Sequence, residues 1–229
     1  MGDRPMNKFY GDFMRTAITD NPEVVSAWIS KIESIHPMKG FPPVIVGLSY
    51  SPKPESVLRL CVGPDCLVYQ LINTSEIPET LSHFLITQCY TFVGVEIEVV
   101  DLKKLEEDYG INSYDIDAVD LFCVAAKRYG RNDLENASLM QLLRLVLDEE
   151  NLTTTLDEEV EMLDNLSKAR DAILDLEKEI YILSNMTHNQ EDKDVKDVNR
   201  RLIAAKVECD CISTFVTFGL GEFLKANQF

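Results

Sequence analysis

Basic residues are scarce in this sequence. Only 22 Lys and Arg stand against 39 Asp and Glu, a formal net charge of −17. Affinity for nucleic acid draws on counterions released when Lys and Arg meet phosphates, so a chain this acidic repels a polyanion unless a local basic patch compensates. The nearest candidates, Lys103-Lys104 and Lys127-Arg128, are short. The charge therefore disfavours sequence-independent nucleic-acid binding, although it does not exclude a metal-dependent nuclease, whose active site is itself acidic. No run of about 18 apolar residues is present, so no membrane-spanning segment is expected. Met1 to Pro5 lead into a polar stretch without an apolar signal core, and Met6 stands where a myristoylation signal needs Ser or Thr. A cytoplasmic or nuclear protein is expected. Histidines are few: His36, His83 and His188 lie in unrelated contexts, none placed as the base of a triad. A Gly-rich phosphate loop, a Gly-x-Ser-x-Gly elbow and a His-Glu-x-x-His helix are all missing.

The six cysteines, Cys61, Cys66, Cys89, Cys123, Cys209 and Cys211, fall mostly in apolar runs. Reduced thiols are the expectation without an export signal. Cys209-x-Cys211 has no second pair at zinc spacing.

What is there is enough for one α/β domain with a sizeable core: 229 residues, 45% of them hydrophobic. Residues 21–35 predict a helix, capped by Asn21, opened by Pro22 and carrying Val24, Val25, Trp28, Ile29 and Ile32 on one face. Three strand-like runs follow, at 44–50, 57–62 and 66–71. Gly63-Pro64-Asp65 between the last two predicts a hairpin turn. The pattern then alternates: a helix after Ile77-Pro78, a strand at 91–97, a helix from Asp101 to near Gly110, a short strand at 118–121 running into another helix, and a helix capped by Ser138. Hairpin strands followed by alternating helix and strand predict a mixed sheet flanked by helices. Residues 1–20 give no clear signal.

Residues 148–198 are different in composition. Sixteen acids face five bases, a net −11 that makes up most of the chain's excess. Leu156, Val160, Leu163, Leu166, Ile173, Leu176, Ile180 and Leu183 recur mostly at steps of three and four, which predicts a long amphipathic helix over 156–185. Its apolar stripe packs either on its own domain or on a partner helix, self-association included. Residues 185–194 read as a polar loop. Residues 195–224 read as one or two nearly all-core helices.

Taken in order, Val44-Ile45-Val46-Gly47-Leu48, the hairpin from Leu58 to Leu71, Phe92-Val93-Gly94-Val95, the stretch Leu102 to Gly110, Val119-Asp120-Leu121 and Ala137-Ser138-Leu139 resemble the 3'–5' exonuclease domain of the Werner type. The ending from Ile212 to Leu224 is similar to that family's last helix. The resemblance covers roughly residues 21–148 and 200–224. It implies a single RNase H-like domain over 1–229, with the acidic helical segment at about 148–198 inserted before the last motif.

The resemblance also implies a chemistry: four acids and a tyrosine holding two Mg²⁺ or Mn²⁺ ions, which activate a water and stabilise the leaving 3' oxygen. The family's first strand ends in Asp-x-Glu directly after Gly-Leu. Here Ser49-Tyr50-Ser51 stands in that place. The second acid matches Asp101, with one extra residue before it. Its alternative reading is an acid facing a helix N-terminus. The last motif, Tyr then Asp, meets Lys206 and Asp210, with Glu208 and Cys209 as alternatives in other registers and no tyrosine in any. A placement at Leu166-Ser167-Lys168-Ala169 lacks the tyrosine as well. Asp101 and Asp210 are thus the vestiges of the acid set, and Ser49, Ser51 and Lys206 the replacements. The expectation is a catalytically degenerate exonuclease-like protein that acts through contacts and needs no cofactor. The alternatives are a weakly active Mg²⁺- or Mn²⁺-dependent 3'–5' exonuclease and a nucleic-acid binder without cleavage.

Overall fold

The computed structural model describes residues 15–36, 43–53, 56–74, 76–95, 99–139, 141–142 and 144–145, and then the helical positions 164, 167–168, 171–176, 178, 198, 201–202, 205–206, 210, 213–214, 216–218, 220–221 and 224. The chain forms two compact units: Met1–Leu143 with Thr214–Phe229, and Arg144–Ser213.

The first unit is α/β. Its strands are β1 (Arg15–Thr19), β2 (Val44–Ser51), β3 (Val57–Val62), β4 (Asp65–Gln70), β5 (Tyr90–Gly94) and β6 (Ala118–Asp120). They make one sheet in the order β1-β4-β3-β2-β5-β6. The pairs β2–β3 and β3–β4 are antiparallel, while β1–β4, β2–β5 and β5–β6 are parallel. This mixed sheet, with helices α1 (Pro22–Ile35), α2 (Glu79–Ile86), α3 (Val99–Tyr109) and α4 (Leu121–Tyr129), is consistent with an RNase H-like fold. After β1 and α1 comes the antiparallel meander β2–β3–β4, and the parallel strands β5 and β6 follow by helical crossovers, as the sequence pattern predicts for residues 44–121.

Local chemistry sets the boundaries. Asn21 accepts from the Glu23 N–H and Pro22 opens α1, so the predicted cap is the observed one. Gly63, at φ 53°, turns β3 into β4. Asp120 accepts from the Cys123 N–H to cap α4, which Gly130 ends in the left-handed region. Ser138 and Gln141 cap each other reciprocally, the side chain of each accepting from the other's N–H.

Alternation along the strands gives the sheet two different faces. One carries Val46, Leu48, Leu58, Leu60, Leu67, Tyr69 and Phe92 into the main core with Trp28, Ile29, Phe84, Leu85 and Leu105. Phe84 sits 4.4 Å from Tyr90 and 5.9 Å from Phe92, ring centre to ring centre. Asp65, nearly buried at the start of β4, binds Lys31 Nζ of α1 at 2.6 Å and Arg15 Nη2 of β1 at 2.8 Å. That ion cluster fastens β1 and α1 to the hairpin. The other face carries Gly47, Ser49, Ser51, Arg59, Cys61, Cys66 and Val93.

Four differences from the sequence reading appear. A strand, β1, lies within residues 1–20, where only the polar Thr16 is fully buried, so no apolar period announces it. The fifth strand ends at Gly94 rather than at residue 97. Helix α3 begins at Val99, two residues before Asp101. Cys61 and Cys66, opposed across β3 and β4, are disulfide-bonded, against the expectation of six reduced thiols. Register explains the last: directly opposed residues of an antiparallel pair bring their Cβ atoms within bridging reach.

In the second unit the described positions are helical. They include 164, 167–168, 171–176 and 178, with Leu176 buried and Leu174 53% exposed. Ion pairs Asp164–Lys168 and Asp175–Lys178 run along this stretch. The remainder of the predicted helix, 156–163, 165–166, 169–170, 177 and 179–185, and the loop predicted at 185–194, lie outside the described residues. Among the described residues no helix is long and apolar enough to cross a membrane.

Candidate functional site

Strand β2 is built to be crossed closely on one face. A Cβ on Gly47 would lie 2.6 Å from the Thr214 carbonyl oxygen and 3.1 Å from Phe218 Cβ. A Cβ on Gly221 would lie 3.0 Å from Val93 Cγ1. Gly47 and Val93 are register partners on β2 and β5. The C-terminal helical run from Thr214 therefore rests on these two strands through glycines, one on the sheet and one on the helix. Arg128 Nη1 of α4 donates to the Leu224 carbonyl at 3.2 Å and holds the far end of the run.

Two residues beyond Gly47, and again two beyond that, the same face presents Ser49 and Ser51, both half-buried. Ser49 is the register partner of Arg59 on β3. Arg59 is 2% exposed and is the only charged residue in the buried run Val57–Val62. Its Nη1 donates to Ser51 Oγ at 2.8 Å. The strand end expected to hold cations thus consists of two neutral hydroxyls and a buried guanidinium.

These residues do not fit a two-metal site. Hard divalent cations take charged oxygen ligands, and β2 supplies none. A guanidinium carries a fixed positive charge. Like charge opposes a cation placed beside it. Ser51 Oγ, moreover, already accepts from Arg59. No step of a metal-assisted hydrolysis follows from this arrangement.

The remaining predicted residues divide between the units. Asp101 is the third residue of α3, a backbone position in the first turn where an acid opposes the helix dipole; its side chain lies outside the described residues. Lys53, two residues past Ser51, ties the end of β2 to α3 through Asp108, Nζ to Oδ1 2.8 Å. The hydrogen bond to Asp108, reinforced by its charge, holds the Lys53 ammonium above the ordinary lysine value. Asp210 and Lys206 are half-buried helical residues of the second unit. Glu208, Cys209 and His188 lie outside the described residues. His36 ends α1, its N–H bonded to the Ile32 carbonyl, and His83 lies in the last turn of α2, within 3.4 Å of Thr87 Oγ1. Among the described residues no group of three or more His, Cys, Asp or Glu side chains converges.

Arg59 is the member of this site that sequence reasoning did not single out. Its signal was present: a single charge inside Val57-Leu58-Arg59-Leu60-Cys61-Val62 has to be paired wherever the strand is buried on both faces. No family model matches the chain, and no curated protein is detectably similar to it.

Proposed function

We propose that this chain is a non-catalytic RNase H-like domain of the 3'–5' exonuclease type, working by contact rather than by cleavage. The bond from Arg59 to Ser51 carries this reading. It joins a permanent cation to a hydroxyl at the strand end where the exonuclease family places a metal-binding acid. The order of the sheet supports it, and so does the seating of the C-terminal run on Gly47, since the ending from Ile212 resembles the family's last helix. No resident cofactor is proposed. The contacts fall to the acidic segment between 148 and 198, through a protein partner or a second copy of the chain, in the cytoplasm or the nucleus.

Incubation with end-labelled single-stranded and recessed-duplex DNA or RNA, in Mg²⁺ or Mn²⁺, leaves the ends intact under this proposal. Metal-dependent shortening that vanishes in Asp101→Ala reverses it in favour of an active exonuclease. Removal of residues 150–195 changes the association state or abolishes partner capture. A chain that keeps both without this segment places the contact elsewhere.

A further inference from the structure

We infer that the open cleft between the end of α2 and the turn before β6 docks a basic, partly apolar segment of a protein partner, its arginines or lysines on Asp115 and Asp117 and its apolar side chains on Ile86 and Tyr114. Residues 86–88 precede β5 and residues 114–117 precede β6, so the cleft sits at the N-terminal ends of these parallel strands. Strand β2 runs parallel to β5 with Val44 beside Tyr90, which puts Ser49 and Ser51 at the other end of the sheet. The inference is therefore independent of how those serines are read.

The wall of the cleft is fixed before anything binds. Asn112 caps the single turn Ser113–Asp115 by accepting from the Tyr114 N–H. Ser113 and Ile116 are buried, and the Ser113 hydroxyl donates to Glu106 of α3. The Asp117 carbonyl accepts from the Phe92 N–H at 2.8 Å, and its carboxylate accepts from Thr91 Oγ1 at 2.9 Å. Tyr114, Asp115 and Asp117 are left facing outward on a held backbone, which lowers the ordering cost of binding.

Three observations define the occupant. The cleft measures about 670 Å³ and is lined by Ile86, Gln88, Tyr114, Asp115, Ile116 and Asp117. That volume is in the range of ligand sites, but an open cleft suits the side chains of a chain segment better than an enclosed small molecule. Ile86 and Tyr114, 38% and 77% exposed, are two of five exposed large apolar side chains among the described residues. Apolar side chains scattered singly over a surface are ordinary, whereas two converging on one cleft mark a contact site. Asp115 accepts from Asn112 and Asp117 from Thr91, both neutral donors, and among the described residues no Lys or Arg pairs with either acid. The complement is a cation with apolar neighbours. A guanidinium meets both needs, since it stacks on an aromatic ring and forks onto a carboxylate. The chain's net −17 steers such a partner in and keeps a polyanion out.

The probe is a short synthetic peptide of alternating arginine and leucine, titrated into the full chain and followed by amide-resolved NMR. Its neutral counterpart carries citrulline for arginine. Signals of Ile86, Gln88, Tyr114, Asp115 and Asp117 shift together with one Kd, and the citrulline peptide leaves them unmoved. Tyr114→Ala, and Asp115→Asn with Asp117→Asn, each weaken this Kd at least about fivefold. These are exposed positions, and asparagine keeps the acceptor that Thr91 uses, so the Tm stays that of the natural chain. Asp133→Asn with Glu135→Gln removes the same charge elsewhere on this unit and leaves the Kd unchanged. Shifts confined to residues 148–198 of the natural chain overturn the inference whatever the variants do, and leave the proposed role of that segment standing. A Kd that either cleft variant leaves unchanged, or equal binding of the citrulline peptide, overturns it as well.

Discussion

Gly47 of β2 lies directly beneath Thr214: a single added carbon would come 2.6 Å from the Thr214 carbonyl oxygen. Backbone on one side and backbone on the other leave no flexible group to give way. Gly47→Ala therefore forces the C-terminal run off the sheet, at a cost of roughly 1–3 kcal/mol or more for overpacking. Urea denaturation of the variant gives a midpoint well below that of the natural chain. Gly63→Ala serves as the comparison, because a Cβ there meets nothing within 4 Å and only the turn's φ of 53° opposes it.

The Cys61–Cys66 bridge makes a second prediction. It closes a loop of six residues, and in the chain-entropy view such a closure is worth about 2 kcal/mol. Differential alkylation of the unreduced, denatured chain leaves Cys61 and Cys66 unlabelled while Cys123, exposed on α4, reacts. Reduction lowers stability without unfolding the sheet. Burial, and Asp120 after it, raise the Cys123 thiol above its ordinary value, so its labelling speeds up only at alkaline pH. Full labelling of Cys61 and Cys66 without reductant contradicts the bridge.

Tyr90 sets a limit on alkaline stability. Burial pushes its phenol up to about 12, and its hydroxyl has no hydrogen-bond partner among the described residues. An unfolded tyrosine releases its proton near 10. Above that pH the unfolded state holds fewer protons than the folded one, so stability is intact below pH 10 and is lost as pH rises towards 12. Burial moves Tyr69 in the same direction. Tyr90→Phe, which deletes the ionising group and the orphan hydroxyl together, keeps its Tm at pH 7 and loses less between pH 9 and 11.5 than the natural chain. Parallel curves for the two chains contradict the assignment.

The main sheet was legible because each of its signals is local. Asn21-Pro22 starts a helix, Gly63-Pro64 turns a hairpin, and the alternation of Val46 and Leu48 with Gly47 and Ser49 gives β2 two unlike faces. β1 was not legible: it is an edge strand whose buried residue is Thr16, and its partner β4 lies some fifty residues away. That Ser49 and Ser51 stand where the resembled family carries acids could be read from the sequence, since the residues lie directly in the strand run. The guanidinium beside them could not. Arg59 enters the site through the β2–β3 register, a pairing between strands that no period within either strand encodes. The disulfide was hidden for the same reason, because cross-strand opposition at 61 and 66 depends on where the turn falls.

The central claim is that this face of β2 cannot hold divalent cations, and paramagnetic broadening tests it residue by residue. In an amide-resolved NMR spectrum of the full natural chain, Mn²⁺ is titrated into the micromolar range. The amide signals of Gly47, Ser49 and Ser51 are expected to keep their intensity, whatever happens along the acidic stretch 148–198. Selective loss of those β2 signals at micromolar Mn²⁺, relieved by Asp101→Ala, would contradict it.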